Sequence, residues 1–136
     1  MAIGTNLALY ILVNKEIDMT PGKLAGQVSH AIIRYITSNK AMSDECLHEF
    51  MKMKANERVI ITVKSSLAKL EELEREGYPV QRDLGLTKLP PNTLTCTCYG
   101  VVDRDGEMPS WLKRMRLYTW KNNWVNSQLF SIFFTW

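Results

Sequence analysis

The chain has 136 residues, 46% of them hydrophobic and 23% charged, with a formal net charge of +3. That balance fits one domain that buries most of its apolar surface without staples, and so mild a basic excess permits a nucleic-acid partner without demanding one. Three cysteines, Cys46 alone and Cys96 and Cys98 two apart, lack the paired spacing of zinc ligands and read as structural thiols of a reducing, cytoplasmic compartment.

Leu7 to Val13 is continuously apolar, has no basic region before it and is bounded by Asn14-Lys15-Glu16. It reads as a strand covered on both faces by helices, not as a signal peptide or membrane span, and no integral membrane association is expected. Thr20 caps the next element and Pro21 fits its first helical position. Leu24, Val28, Ala31, Ile32, Tyr35 and Ile36 follow helical spacing and should face the core. Lys23, Gln27, His30 and Arg34 fall in a second, polar row on the same helix.

Ser43 is read as the cap of a second helix through Cys46, Leu47, Phe50 and Met51, which runs into the basic stretch Lys52 to Arg58. Val59 to Val63 is a β-branched strand. Ser65 or Ser66 opens a third helix with Leu67, Leu70 and Leu73 inside, stopped at Gly77. Tyr78 to Gln81 is a brief strand leading into the bend Arg82 to Thr87. From Thr93 to Tyr99, Leu94, Cys96 and Cys98 alternate with threonines, as in a strand with two different faces that ends at Gly100. The predicted order is β-α-α-β-α-β-β: an α/β domain with a small mixed four-stranded sheet sandwiched by helices in three layers. Beyond it, Met108 to Trp136 is rich in tryptophan and basic residues, and its apolar end is too short to span a bilayer.

Gly22-Lys23 at a helix start lacks the upstream glycine and following Ser or Thr of a phosphate-binding P-loop. A lysine at a helix N-terminus still favours an anion or a polarised carbonyl. His30 can shuttle a proton or simply serve the structure; Asp83 can position a water and pair with Lys23, or cap its turn; Thr87 has the same two readings. No Ser-His-Asp order or metal-spaced cluster stands out, and neither a metal nor an organic cofactor is expected.

Two blocks coincide with one family. Gly22-Lys-Leu-Ala-Gly-Gln-Val-Ser-His-Ala31 resembles the GK-x-A-x-Q-x-x-H-A signature of the type 2 peptidyl-tRNA hydrolases, the archaeal and eukaryotic kind. Asp83-Leu-Gly-Leu-Thr-Lys-Leu-Pro-Pro-Asn-Thr-Leu-Thr95 is similar to that family's D-A-G-x-T-x-(I/L)-x-P-x-(S/T)-x-T segment. The resemblance covers about Leu7 to Tyr118, so residues 1–118 are read as the family domain and 119–136 as an aromatic-rich extension. It implies hydrolysis of the ester between a peptide and the terminal ribose of tRNA, and Lys23, Gln27, His30, Asp83 and Thr87 as catalytic-site residues. Asp83 would orient or activate water, Lys23 would steady negative charge, and Gln27 and His30 would hold the network or the tRNA end. Lys52, Lys54, Arg58, Lys113, Arg114 and Arg116 are candidates for tRNA phosphates.

The chain departs from the pattern at Asn14, Thr62 and Leu86, where the family carries basic or polar residues, and also at Glu16, Leu84 and Val101. These departures keep open an alternative, a non-catalytic homologue that binds RNA or a protein partner. A third reading makes the tail the basis of a membrane-associated or oligomeric adaptor, and a homodimer is among the expected partners alongside peptidyl-tRNA.

Overall fold

The computed structural model describes residues 6–85 and 89–119. The expectations placed on Leu86, Thr87 and residues 120–136 lie outside them. Strand β1 (Leu7–Asn14) is buried along its whole length, as its unbroken apolar run requires. The sheet order is β2-β1-β4-β3, with β2 at Val59–Ser65, β3 at Val80–Arg82 and β4 at Leu94–Asp103. β1 runs parallel to β2 and antiparallel to β4, and β3 is antiparallel to β4. The C-terminal ends of β1, β2 and β3 therefore meet at one edge of the sheet, beside the start of β4.

Helices cover both faces. On one, α1 (Pro21–Ile36), α2 (Asn39–Met42) and α3 (Glu45–Met51) supply Ala31, Tyr35, Leu47 and Phe50 to a core with Ile11, Val13, Cys96 and Cys98. On the other, α4 (Leu67–Arg75) and the single turn α5 (Ser110–Lys113) supply Leu70, Leu73 and Leu112 against Leu12, Val63 and Leu94. Burial pushes the Cys96 and Cys98 thiols up to about 12, consistent with structural cysteines.

Four local expectations are corrected. Asp44, not Ser43, caps α3: its Oδ1 accepts from Leu47 N–H at 2.9 Å, while Ser43 ends the short α2 that no periodicity announces. Ile36 at the end of α1 is 41% exposed, and the buried stripe is Gln27, Ala31 and Tyr35. β4 runs on past Gly100 to Asp103. Finally, Leu94 and Cys96 face opposite layers, because the ladder with β3 shifts register between them; a second shift, against β1, follows Cys98. Thr95 is the extra residue against β3 and Tyr99 against β1, and each bulge re-aims the side chains after it.

The segment after α5 returns to the sheet. Val63 pairs antiparallel with Leu117, Lys64 N–H donates to the Arg116 carbonyl at 2.8 Å, and Tyr118 N–H donates to that of Thr62 at 2.9 Å. The otherwise open edge of β2 is thereby covered.

Candidate active site

Where the strand ends meet, α1 begins. Thr20 Oγ1 accepts from Lys23 N–H at 3.3 Å and Pro21 occupies the first turn, as the sequence predicts. This cap fixes the first turn, from which the Lys23 side chain extends to Asp83, just past β3. Lys23 Nζ donates to Asp83 Oδ1, joining residues sixty positions apart. The carboxylate is 3% exposed and the lysine side chain 17%, so the pair is largely shielded, the lysine less so than the carboxylate.

The loop around Asp83 is built to hold that carboxylate. Asp83 N–H donates to the Thr93 carbonyl and its own carbonyl accepts from Asn92 N–H, each at 2.8 Å. Oδ2 accepts from Gly85 N–H at 2.9 Å, closing an Asx turn. Gly85 has φ +80°, and a Cβ there would stand 2.6 Å from Pro91 Cγ, so glycine is required. The Lys23 ammonium beside Asp83 holds its carboxyl below the ordinary value of 3.8; burial opposes this, and the Gly85 N–H adds to it. Asp83 is thus a fixed anion at neutral pH.

Behind the pair lies a buried polar line. Thr95 Oγ1 donates to Gln27 Oε1 at 2.7 Å and lies 3.0 Å from the Gln81 carbonyl. Gln81 Oε1 in turn accepts from Arg34 Nε at 2.7 Å. Arg34, set at the far end of the polar row by sequence, therefore ties α1 to β3. Thr95 and Gln81 are the participants that residue spacing does not single out. Simple alternation puts Thr95 with the other threonines, and only the bulge brings it to Gln27.

Lys23, Gln27 and Asp83 are brought together, while His30 lies further along α1 and is exposed. The basic candidates divide between the two ends of the sheet. Lys52, Lys54 and Arg58 precede β2, and Arg114 and Arg116 flank its far end, about 20 Å away for a seven-residue strand. Arg58 is engaged with the end of α3, its Nη2 donating to the Met51 carbonyl at 2.7 Å and its Nε to that of Phe50 at 3.1 Å. Lys113 is exposed on α5.

Two of the departures have structural explanations. Asn14 is buried, its Nδ2 donates to the Leu94 carbonyl at 2.8 Å and its Oδ1 accepts from Glu16 N–H, so it locks β1 to β4. Glu16 Oε2 accepts from Leu67 N–H at 2.7 Å, satisfying a free amide at the start of α4.

Comparison with known proteins gives the family. Residues 7–118 match the family described as Peptidyl-tRNA hydrolase PTH2. A peptidyl-tRNA hydrolase of Saccharolobus solfataricus is 32% identical over 103 residues, 69% of this chain and 85% of the relative. One from Saccharolobus islandicus is 33% identical over 68% of this chain and 83% of the relative, and one from Metallosphaera sedula 29% identical over 69% and 86%. Lys23 and Asp83 thus meet at the sheet edge of a chain that belongs to the peptidyl-tRNA hydrolase PTH2 family.

Proposed function

We propose that the Lys23–Asp83 pair is where this peptidyl-tRNA hydrolase cleaves its ester. The observation that carries the assignment is the convergence of a helix-start lysine and a loop carboxylate, sixty residues apart, into one shielded ion pair. In the reaction a water oxygen bonds to the ester carbonyl carbon, and the bond from that carbon to the ribose oxygen breaks. The peptide leaves as a carboxylic acid and the ribose oxygen takes a proton. Asp83, ionised at neutral pH, has lone pairs beyond those engaged by Lys23 and Gly85 with which to orient the water. The Lys23 ammonium faces the negative charge that develops on the carbonyl oxygen.

Gln27, steadied by Thr95, and His30 serve the tRNA end, and Thr87, four positions after Asp83 in the sequence, is kept as a further site residue. Among the basic residues, Arg114 and Arg116 stand at the site's end of the sheet and are assigned to tRNA; Lys52, Lys54 and Arg58 stand at the other end and would meet only a more distant part of it. The expected setting is the cytoplasm. No helix among the described residues is long and apolar enough to cross a membrane.

The test is release of free tRNA from an N-acylated aminoacyl-tRNA. Lys23→Ala is expected to lower kcat by about 10²–10³, and Asp83→Asn by about 10²–10⁴. Absence of turnover by the folded parent would overturn the activity. Turnover untouched by both changes would overturn the residue assignment.

A further inference from the structure

The same end of the sheet holds a second concavity. A cleft of about 410 Å³ is lined by Lys15, Lys64, Trp111, Arg114, Met115 and Arg116. Four of these six residues are cations and none is an acid.

Backbone bonds, not counter-charges, gather three of the four, and Arg114 follows at the end of α5. Lys15 N–H donates to the Ser65 carbonyl at 2.9 Å, and Lys64 N–H to that of Arg116 at 2.8 Å. Among the described residues none of the four enters an ion pair. The acid adjoining Lys15, Glu16, is turned to the start of α4. Beside the cleft, Lys69 Nζ lies 3.9 Å from the Trp111 ring centroid but is paired with Glu72 at 2.6 Å, so the uncompensated charge is that of the four. Like charges collected without compensation raise the local positive potential and draw in a polyanion. Trp111 and Met115 add an apolar wall, the combination that single-stranded nucleic acid uses.

Position identifies the polyanion. Lys64 on β2 and Asp83 past β3 are three inter-strand steps apart, about 14 Å at roughly 4.8 Å per step. That separation puts the cleft within reach of the first phosphates next to a terminal ribose seated at Asp83. We propose that the cleft binds backbone phosphates of the tRNA acceptor end, with Lys15 and Lys64 joining Arg114 and Arg116 as contacts; the identity of the RNA rests on the hydrolase assignment.

The test compares the parent with the Lys15→Glu/Lys64→Glu double variant, and with Lys15→Gln/Lys64→Gln as a milder form, checking by circular dichroism that each is folded. Binding of deacylated tRNA is measured by fluorescence anisotropy across a salt series. The reversal is expected to weaken binding roughly tenfold or more. Loss of two single-strand phosphate contacts is expected to flatten the log–log salt slope by about 1.4. The ratio of kcat/KM for N-acylated aminoacyl-tRNA to that for the phosphate-free N-acylated aminoacyl-adenosine is expected to fall by a similar factor. Parent-like tRNA affinity and salt slope would overturn the proposal, as would equal losses on the two substrates. If the parent hydrolyses neither ester, the hydrolase assignment fails, and the binding series still decides the cleft.

Discussion

Both carboxylate oxygens of Asp83 are engaged, one by the Lys23 ammonium and one by Gly85 N–H, and this sets a pH window for the site. Its folded-state pKa lies below the unfolded value of about 3.9. The pair therefore stabilises the fold above that pH, and the contribution disappears as pH falls through the folded value. The Tm difference between parent and Asp83→Asn should be full at neutral pH and shrink in acid below pH 4; a difference independent of pH would contradict the ion pair. Thr95 makes a second test. Thr95→Val keeps the shape and removes the hydroxyl, leaving Gln27 Oε1 and the Gln81 carbonyl without their shared donor. Urea unfolding should show a loss of about 1–3 kcal/mol.

Among the elements, α1 was the most legible: its cap, its proline start and its polar row are side-chain choices tied to a fixed 3.6-residue period. β4 was legible only as a strand. A period-2 reading assumes an unbroken ladder, and bulges at Thr95 and Tyr99 break it twice, so neither the partner of Thr95 nor the continuation past Gly100 follows from alternation. Gly100 shows what the second bulge requires. Its φ is +103°, and a Cβ would stand 2.4 Å from the Tyr35 hydroxyl oxygen, which itself donates to Asp44 at 2.6 Å. Gly100→Ala should destabilise the protein by at least about 1–3 kcal/mol in urea unfolding. Return of the chain at Arg116 to Tyr118 also escaped the sequence reading, because a three-residue pairing carries no pattern of its own.

In the whole molecule, parallel pairing and a returning antiparallel strand bring the ends of β1, β2 and β3 to one edge, and the candidate chemistry gathers there. The two motif blocks fixed which residues to seek; only the topology shows that Arg114 and Arg116 share this edge while Lys52 and Lys54 do not. The edge of β2 depends on residues 116–118 for cover. A chain ending at Met115 should therefore aggregate more, by light scattering, than one ending at Tyr118; equal behaviour would deny that role. In the mechanism we propose, Lys23 and Asp83 act as one unit on the ester. Single-turnover cleavage of N-acylated aminoacyl-tRNA by the parent, Lys23→Ala, Asp83→Asn and the double variant tests it most directly. Groups that act together are non-additive, so the double variant should be about as slow as the slower single one. Losses that multiply independently, or a parent rate that neither change reduces, would contradict it.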